Sequence, residues 1–221
     1  MPSENPASAS SSPAPASGAD SVAALIRRLD RPVVLVGMMG VGKSSLGRRL
    51  AAYLDVPFAD ADEEIEAAAQ MTIPEIFATY DEAYFRDGER RVIARLIGER
   101  GEDDAQSPLA LPAGERVKVI ATGGGAFCNP QTRELILRRA IAVWLDADLD
   151  TLVERTARKD DRPLLQGSDR RATLARLKAE REAFYAEAPV HVKSGNTPHH
   201  RTLMQVTSGI LAWLESRQDQ P

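Results

Sequence analysis

Gly37-Met38-Met39-Gly40-Val41-Gly42-Lys43-Ser44 fits G-x-x-x-x-G-K-[ST] at every position. The glycines let the backbone curl so that successive N–H groups point inward at an anion. A helix beginning near Lys43 adds its positive end. Lys43 brings a fixed charge for terminal phosphates, and Ser44 a hydroxyl oxygen of the kind that ligates Mg²⁺. Gly40, Val41, Gly42, Lys43, Ser44 and Ser45 therefore form the candidate nucleotide-binding set. The ligand implied is a nucleoside triphosphate, foremost ATP, because no Asn-Lys-x-Asp segment for reading guanine occurs.

Three further groups bear on what is done with the nucleotide. Asp60-Ala61-Asp62 ends a short apolar run. Two carboxylates there can divide the work, one near Mg²⁺ and one accepting or aligning a hydroxyl proton. The same residues, followed by Glu63 and Glu64, also suit a helix N-terminus, and Asp-x-Asp alone favours that reading. Gly123-Gly124-Gly125 follows a strand directly, which suits close backbone approach to a ligand; a flexible connector is the alternative. Arg155, Arg158, Lys159 and Arg162 fall within eight residues and, with Asp160 and Asp161, carry a net +2. Such a segment can close over phosphates and present an arginine to the transferred group, or it is a solvated helix end. Asp146 invites a fourth reading, as the acidic end of a metal-binding strand.

The elements that must position these residues alternate. Strands are expected at 33–36, 56–59, 117–121 and 142–145, with a weak fifth at 190–192. Leu46, Leu50 and Leu54 lie four apart on one helix face. Thr72-Ile73-Pro74-Glu75 has the spacing of a capping box with Pro in the first turn. A longer helix holds Phe85, Val92, Ile93, Leu96 and Ile97 and ends near Gly98 or Gly101. The last helix carries Leu203, Val206, Ile210 and Leu214. Strand–helix alternation implies an α/β fold of three layers, a mostly parallel five-stranded sheet with helices on both faces.

Residues 1–20 hold six serines and four prolines and read as a disordered tail, with no basic start or apolar stretch of a secretory signal. Residues 21–221 form one domain, with a surface insertion at about 101–116 and a mobile lid at about 155–167. Across 221 residues, 43% are apolar and 27% charged, enough to build a core. The net charge of −4 speaks against a uniformly basic nucleic-acid binder, and no run of 18 apolar residues suggests a membrane span. Cys128 is the only cysteine, which fits a reducing, cytoplasmic setting. A monomer is expected.

Taken together the segments resemble the shikimate kinases, small phosphate-loop kinases related to the nucleoside monophosphate kinases. The matching stretches are GMMGVGKSSLGRRLA (37–51), FADADEEIE (58–66), FRDGE (85–89), ATGGGAF (121–127), VWLDAD (143–148), RTARKDDRPLL (155–165) and EREAFY (180–185). The resemblance implies ATP-dependent phosphorylation of the 3-hydroxyl of shikimate. It implies that Asp62 binds the acceptor's hydroxyls and is the candidate base. Asp60 would lie near Mg²⁺ through water, with Ser44 as direct ligand. Arg86 and Arg181 would grip the acceptor's carboxylate, with Glu89 orienting them, and Gly123, Gly124 and Gly125 would be acceptor-binding backbone. Arg162 would be the lid arginine, Arg155 would stack on adenine, and Pro198 would border it. Phe77 and Phe85 would be apolar walls or ordinary core. Asp146 drops out, because this strand's aspartate is not the family's usual metal ligand. Kinases of gluconate or of nucleoside monophosphates, and a non-catalytic nucleotide-binding module, are the competing readings.

Overall fold

Val33–Val36 is four aliphatic residues without an exposed face, and it forms β1, the centre of the sheet. The computed structural model describes residues 25–98, 117–157, 169–195 and 198–218. The other strands are β2 (Phe58–Asp60), β3 (Val119–Ala121), β4 (Ile141–Asp146) and β5 (Val190–Lys193). Their order is β2-β3-β1-β4-β5, and every pair is parallel. The sheet is thus wholly rather than mostly parallel. β1, β3 and β4 are buried along their full length, as continuous apolar runs inside parallel sheets are.

The helices are α1 (Lys43–Leu54), α2 (Ala61–Ala69), α3 (Ile73–Thr79), α4 (Glu82–Ile97), α5 (Pro130–Arg139), α6 (Leu149–Ala157), α7 (Arg170–Tyr185) and α8 (His199–Gln218). The crossover from β1 through α1 to β2 runs one way across the sheet, and that from β3 through α5 to β4 runs the other. Right-handed crossovers of opposite direction place their helices on opposite faces. Accordingly α1 packs with α8, and α5 with α4. Leu46, Leu50 and Leu54 are buried, as are Leu203, Val206, Ile210 and Leu214. No helix among the described residues is long and apolar enough to cross a membrane.

Local boundaries depart from the sequence expectation for identifiable reasons. Val56 does not open β2: its N–H completes the end of α1 by donating to the Ala51 carbonyl at 3.0 Å, after Asp55 turns left-handed. β3 begins two residues late, because β1 offers its first paired residue at Val33, opposite Val119. The Thr72–Glu75 capping box forms as its spacing requires, and Gly98 stops α4. The expected tail (1–20) and insertion (101–116) lie outside the described residues.

From β3 the chain passes over β1 to reach β4. The carboxyl end of β1 is therefore where the winding changes direction, the place where ligands gather on such sheets. The loop after β1 is Gly37–Gly42, the loop after β3 is the triple glycine, and β2 ends at Asp60. Thr122 ties two of these ends together. Its N–H and its hydroxyl both donate to the Leu35 carbonyl, at 3.3 and 3.0 Å.

Candidate active site

Gly37 has φ +133°, and a Cβ there would lie 2.3 Å from the Leu145 carbonyl oxygen on β4. Only glycine lets the loop leave the sheet this close to its neighbour. Gly42, at φ +101°, is the N-cap of α1 and supplies no side-chain cap. The first N–H groups of the helix thus receive no side-chain cap from Gly42, an arrangement suited to an anion. Lys43 is buried, and its Nζ donates to the carbonyls of Gly37 (2.8 Å) and Met38 (3.0 Å), which holds the ammonium inside the curl. Ser44 and Ser45 are exposed on the first turn of α1.

Arg155, on α6, donates from Nη1 to the Val41 carbonyl (3.0 Å) and from Nη2 to the Gly195 carbonyl (2.8 Å). The Ser194 hydroxyl reaches the same Val41 oxygen at 3.0 Å. The phosphate loop is so joined to the turn that leads from β5 to α8, where Pro198 is exposed. Ser194 carried no signal in the sequence beyond its place next to β5. Arg162 and the segment 158–168 lie outside the described residues. The first part of the expected lid, 155–157, is the end of α6 and regular helix.

On the other side, Asp60 is indeed a helix cap: its Oδ1 accepts from the Asp62 N–H at 3.1 Å. The cap uses one oxygen and orients the turn that carries Asp62, so the cap reading and the site reading hold together. Glu89 is buried, and its Oε2 accepts from Arg86 at 3.1 Å. Burial raises the Glu89 carboxyl above its usual range, partly offset by Arg86. Glu82 holds Arg86 from one turn earlier, at 3.0 Å. Arg181, on α7, donates to the Gly124 carbonyl at 3.0 Å.

The triple glycine has a more specific cause than close approach to a ligand. A Cβ on Gly123 would meet Glu89 Oε1 at 2.6 Å and Asp62 Oδ1 at 2.9 Å. On Gly124 it would lie 3.0 Å from the Met39 N–H nitrogen of the phosphate loop. On Gly125 it would meet the Arg86 guanidinium at 2.5 Å. Each missing side chain is the space taken by one part of the site. Gly125→Ala should therefore leave the fold intact, since the far end of Arg86 can swing aside. It should weaken binding of an anionic acceptor by roughly tenfold, the scale of one charge-assisted hydrogen bond. Steady-state KM for the acceptor and the melting temperature check this together; an unchanged KM would detach Arg86 from the acceptor.

Asp146 binds no neighbouring carboxylate and faces lysines instead. Lys178 donates to it at 2.5 Å and Lys193 contacts its other oxygen. Burial alone would raise this carboxyl, but the two ammonium groups outweigh that and hold it below the usual range. It links α7 to β5. Phe85 is buried and Phe77 half-buried against the core, their rings 4.7 Å apart, so the packing bears out the core reading of the pair. Sequence reasoning passed over Tyr185, which is buried against Gly124. Its spacing of four from Arg181 on one helix face was the available signal.

The family model described as shikimate kinase matches residues 39–103 and 109–214. A shikimate kinase of Novosphingobium aromaticivorans is 61% identical over 188 residues, spanning 85% of this chain and 91% of that protein. One of Rhodopseudomonas palustris is 48% identical, with 87% of each chain covered. Among solved structures, a shikimate kinase from Acinetobacter baumannii in complex with shikimate superposes with a TM-score of 0.71 at 31% identity, covering 89% of this chain and 99% of that one. With the phosphate loop, the paired carboxylates and the two arginines set around three adjacent strand ends, these likenesses have one meaning: the chain belongs to the shikimate kinase family.

Proposed function

We infer that the cleft at the carboxyl ends of β1, β2 and β3 is where this chain carries out its family's reaction. In that reaction the γ-phosphoryl group of ATP passes to the 3-hydroxyl of shikimate, giving shikimate 3-phosphate and ADP, a step of aromatic amino-acid biosynthesis. The observation that carries the assignment of place is the contact between two loops. The Gly124 Cβ position lies 3.0 Å from the Met39 backbone nitrogen, so the phosphate loop and the acceptor loop abut. In-line transfer needs donor and acceptor oxygens held this near one another.

The division of labour follows from the charges. Lys43 and the first N–H groups of α1 hold the phosphates. Val41, Gly40, Gly42 and Ser45 contribute loop backbone, and Arg155 and Pro198 border the base. Asp62 takes or aligns the proton of the attacking hydroxyl. Arg86 and Arg181 bind the carboxylate, a planar guanidinium matching it through two hydrogen bonds. Glu89 holds Arg86 at 3.1 Å. Arg162 is the arginine for the transferred group.

The donors available for Mg²⁺ are hard oxygens, the exposed Ser44 hydroxyl and the Asp60 carboxylate through water. That sparse set suits an ion that keeps its waters and leans on the substrate's phosphates. Bound there, Mg²⁺ would neutralise charge on the β- and γ-oxygens. A single domain of this kind needs no partner, which supports a monomer, and one cysteine fits a reducing, cytoplasmic setting.

A coupled ADP assay tests the reading. ADP should form only when shikimate, ATP and Mg²⁺ are all present. ADP release at the same rate without shikimate would overturn it.

A further inference from the structure

Tyr185 closes the last turn of α7 and is 2% exposed. No step assigned above uses it. Its hydroxyl donates to the Gly124 carbonyl, the oxygen that also accepts from Arg181 at 3.0 Å. The Arg181 guanidinium and the Cys128 thiol are charged or polar neighbours of this hydroxyl and act on its ionisation. It is 3.9 Å from the Met38 sulfur in the phosphate loop. The ring is stacked at 6.1 Å on Trp144 of β4, so its position is set by the sheet.

A carbonyl oxygen has two lone pairs, and on Gly124 both are engaged by groups of α7. That fixes the Gly124 peptide plane and, through it, the Arg181 guanidinium. Arg181 is a long side chain with much rotamer freedom to lose on binding. A rigid, buried phenol beside it reduces that loss before the acceptor arrives. Burial also drives the phenol's ionisation well above its ordinary range, so the group remains a donor at every working pH.

We propose that Tyr185 is a positioning residue for acceptor binding: by sharing the Gly124 carbonyl with Arg181, it sets the angle at which that guanidinium meets the acceptor's carboxylate. The proposal rests on the role given to Arg181 above.

Tyr185→Phe removes the hydroxyl and keeps the ring on Trp144. Steady-state kinetics should be measured with shikimate and ATP varied in turn, in the natural protein, Tyr185→Phe, Arg181→Ala and the double variant. Tyr185→Phe should lower kcat/KM for shikimate roughly three- to tenfold, the scale of one hydrogen bond, and leave KM for ATP within about twofold. Arg181→Ala should lower kcat/KM for shikimate about 10- to 100-fold. On that background the Tyr185 change should add less than about twofold, as expected for groups that act as one unit. A merely structural tyrosine would move both substrates' KM together or shift only the melting temperature, and either result overturns the proposal. So does an unchanged shikimate kcat/KM in Tyr185→Phe, or a full additional loss in the double variant. If Arg181→Ala itself leaves shikimate binding untouched, the carboxylate assignment falls first. If Arg181→Ala weakens it and Tyr185→Phe does not, only the role of Tyr185 is lost.

Discussion

Lys43→Ala should reduce kcat by about 10³-fold or more, because it removes the ammonium held inside the phosphate loop. The Nζ sits at 2.8 and 3.0 Å from the Gly37 and Met38 carbonyls, so it arrives already oriented and needs no rearrangement during transfer. Alanine keeps the helix, and the uncapped first turn of α1 still offers N–H groups to an anion. Affinity for ATP should therefore fall much less than turnover does. Lys43→Arg should not restore the rate, since a planar guanidinium does not fit a curl shaped around a compact ammonium. Quenched-flow turnover and calorimetric ATP binding, on the same folded preparation, separate the two quantities. A kcat within tenfold of the natural protein would remove Lys43 from the transfer step.

Asp62→Asn should cost about 10²-fold or more in kcat, the usual contribution of a positioned general base. The substitution is nearly isosteric, and the cap of α2 survives it. That cap runs from the Asp62 backbone N–H to the Asp60 side chain and does not involve the Asp62 carboxylate. What the fold loses is a negative charge in the first turn of α2, worth about 0.3–1 kcal/mol against the helix dipole. A small drop in melting temperature beside a large drop in rate is thus the expected pattern. A rate loss under about threefold would return Asp62 to the role of an ordinary helix-opening residue.

Much of this molecule was legible because its signals are local. The eight-residue phosphate loop, the Leu46–Leu50–Leu54 face and the Thr72–Glu75 box each depend on neighbours in sequence, and each forms as expected. The triple glycine was legible as a feature but not in its cause. Asp62, Glu89, Arg86 and the Met39 backbone come from three separate parts of the chain, and only the sheet order brings them to residues 123–125. Asp60 shows the limit of reading a motif as a choice between cap and site, since the cap uses one carboxylate oxygen and the proposed water-mediated role can use the other. Tyr185 was missed because an aromatic at helical spacing looks like core, and only the burial of its hydroxyl on a carbonyl distinguishes it.

The crowding around Gly123, Gly124 and Gly125 also bears on how such a pocket can be retargeted. A library that randomises the acceptor site would ordinarily include these three positions as the loop nearest the substrate. Here every side chain added to them displaces a carboxylate, a guanidinium or the neighbouring main chain before it touches a new molecule. Diversity aimed at other alcohols belongs instead at apolar positions such as the packed Phe77 and Phe85 rings, where shape can change while the charged frame stays put.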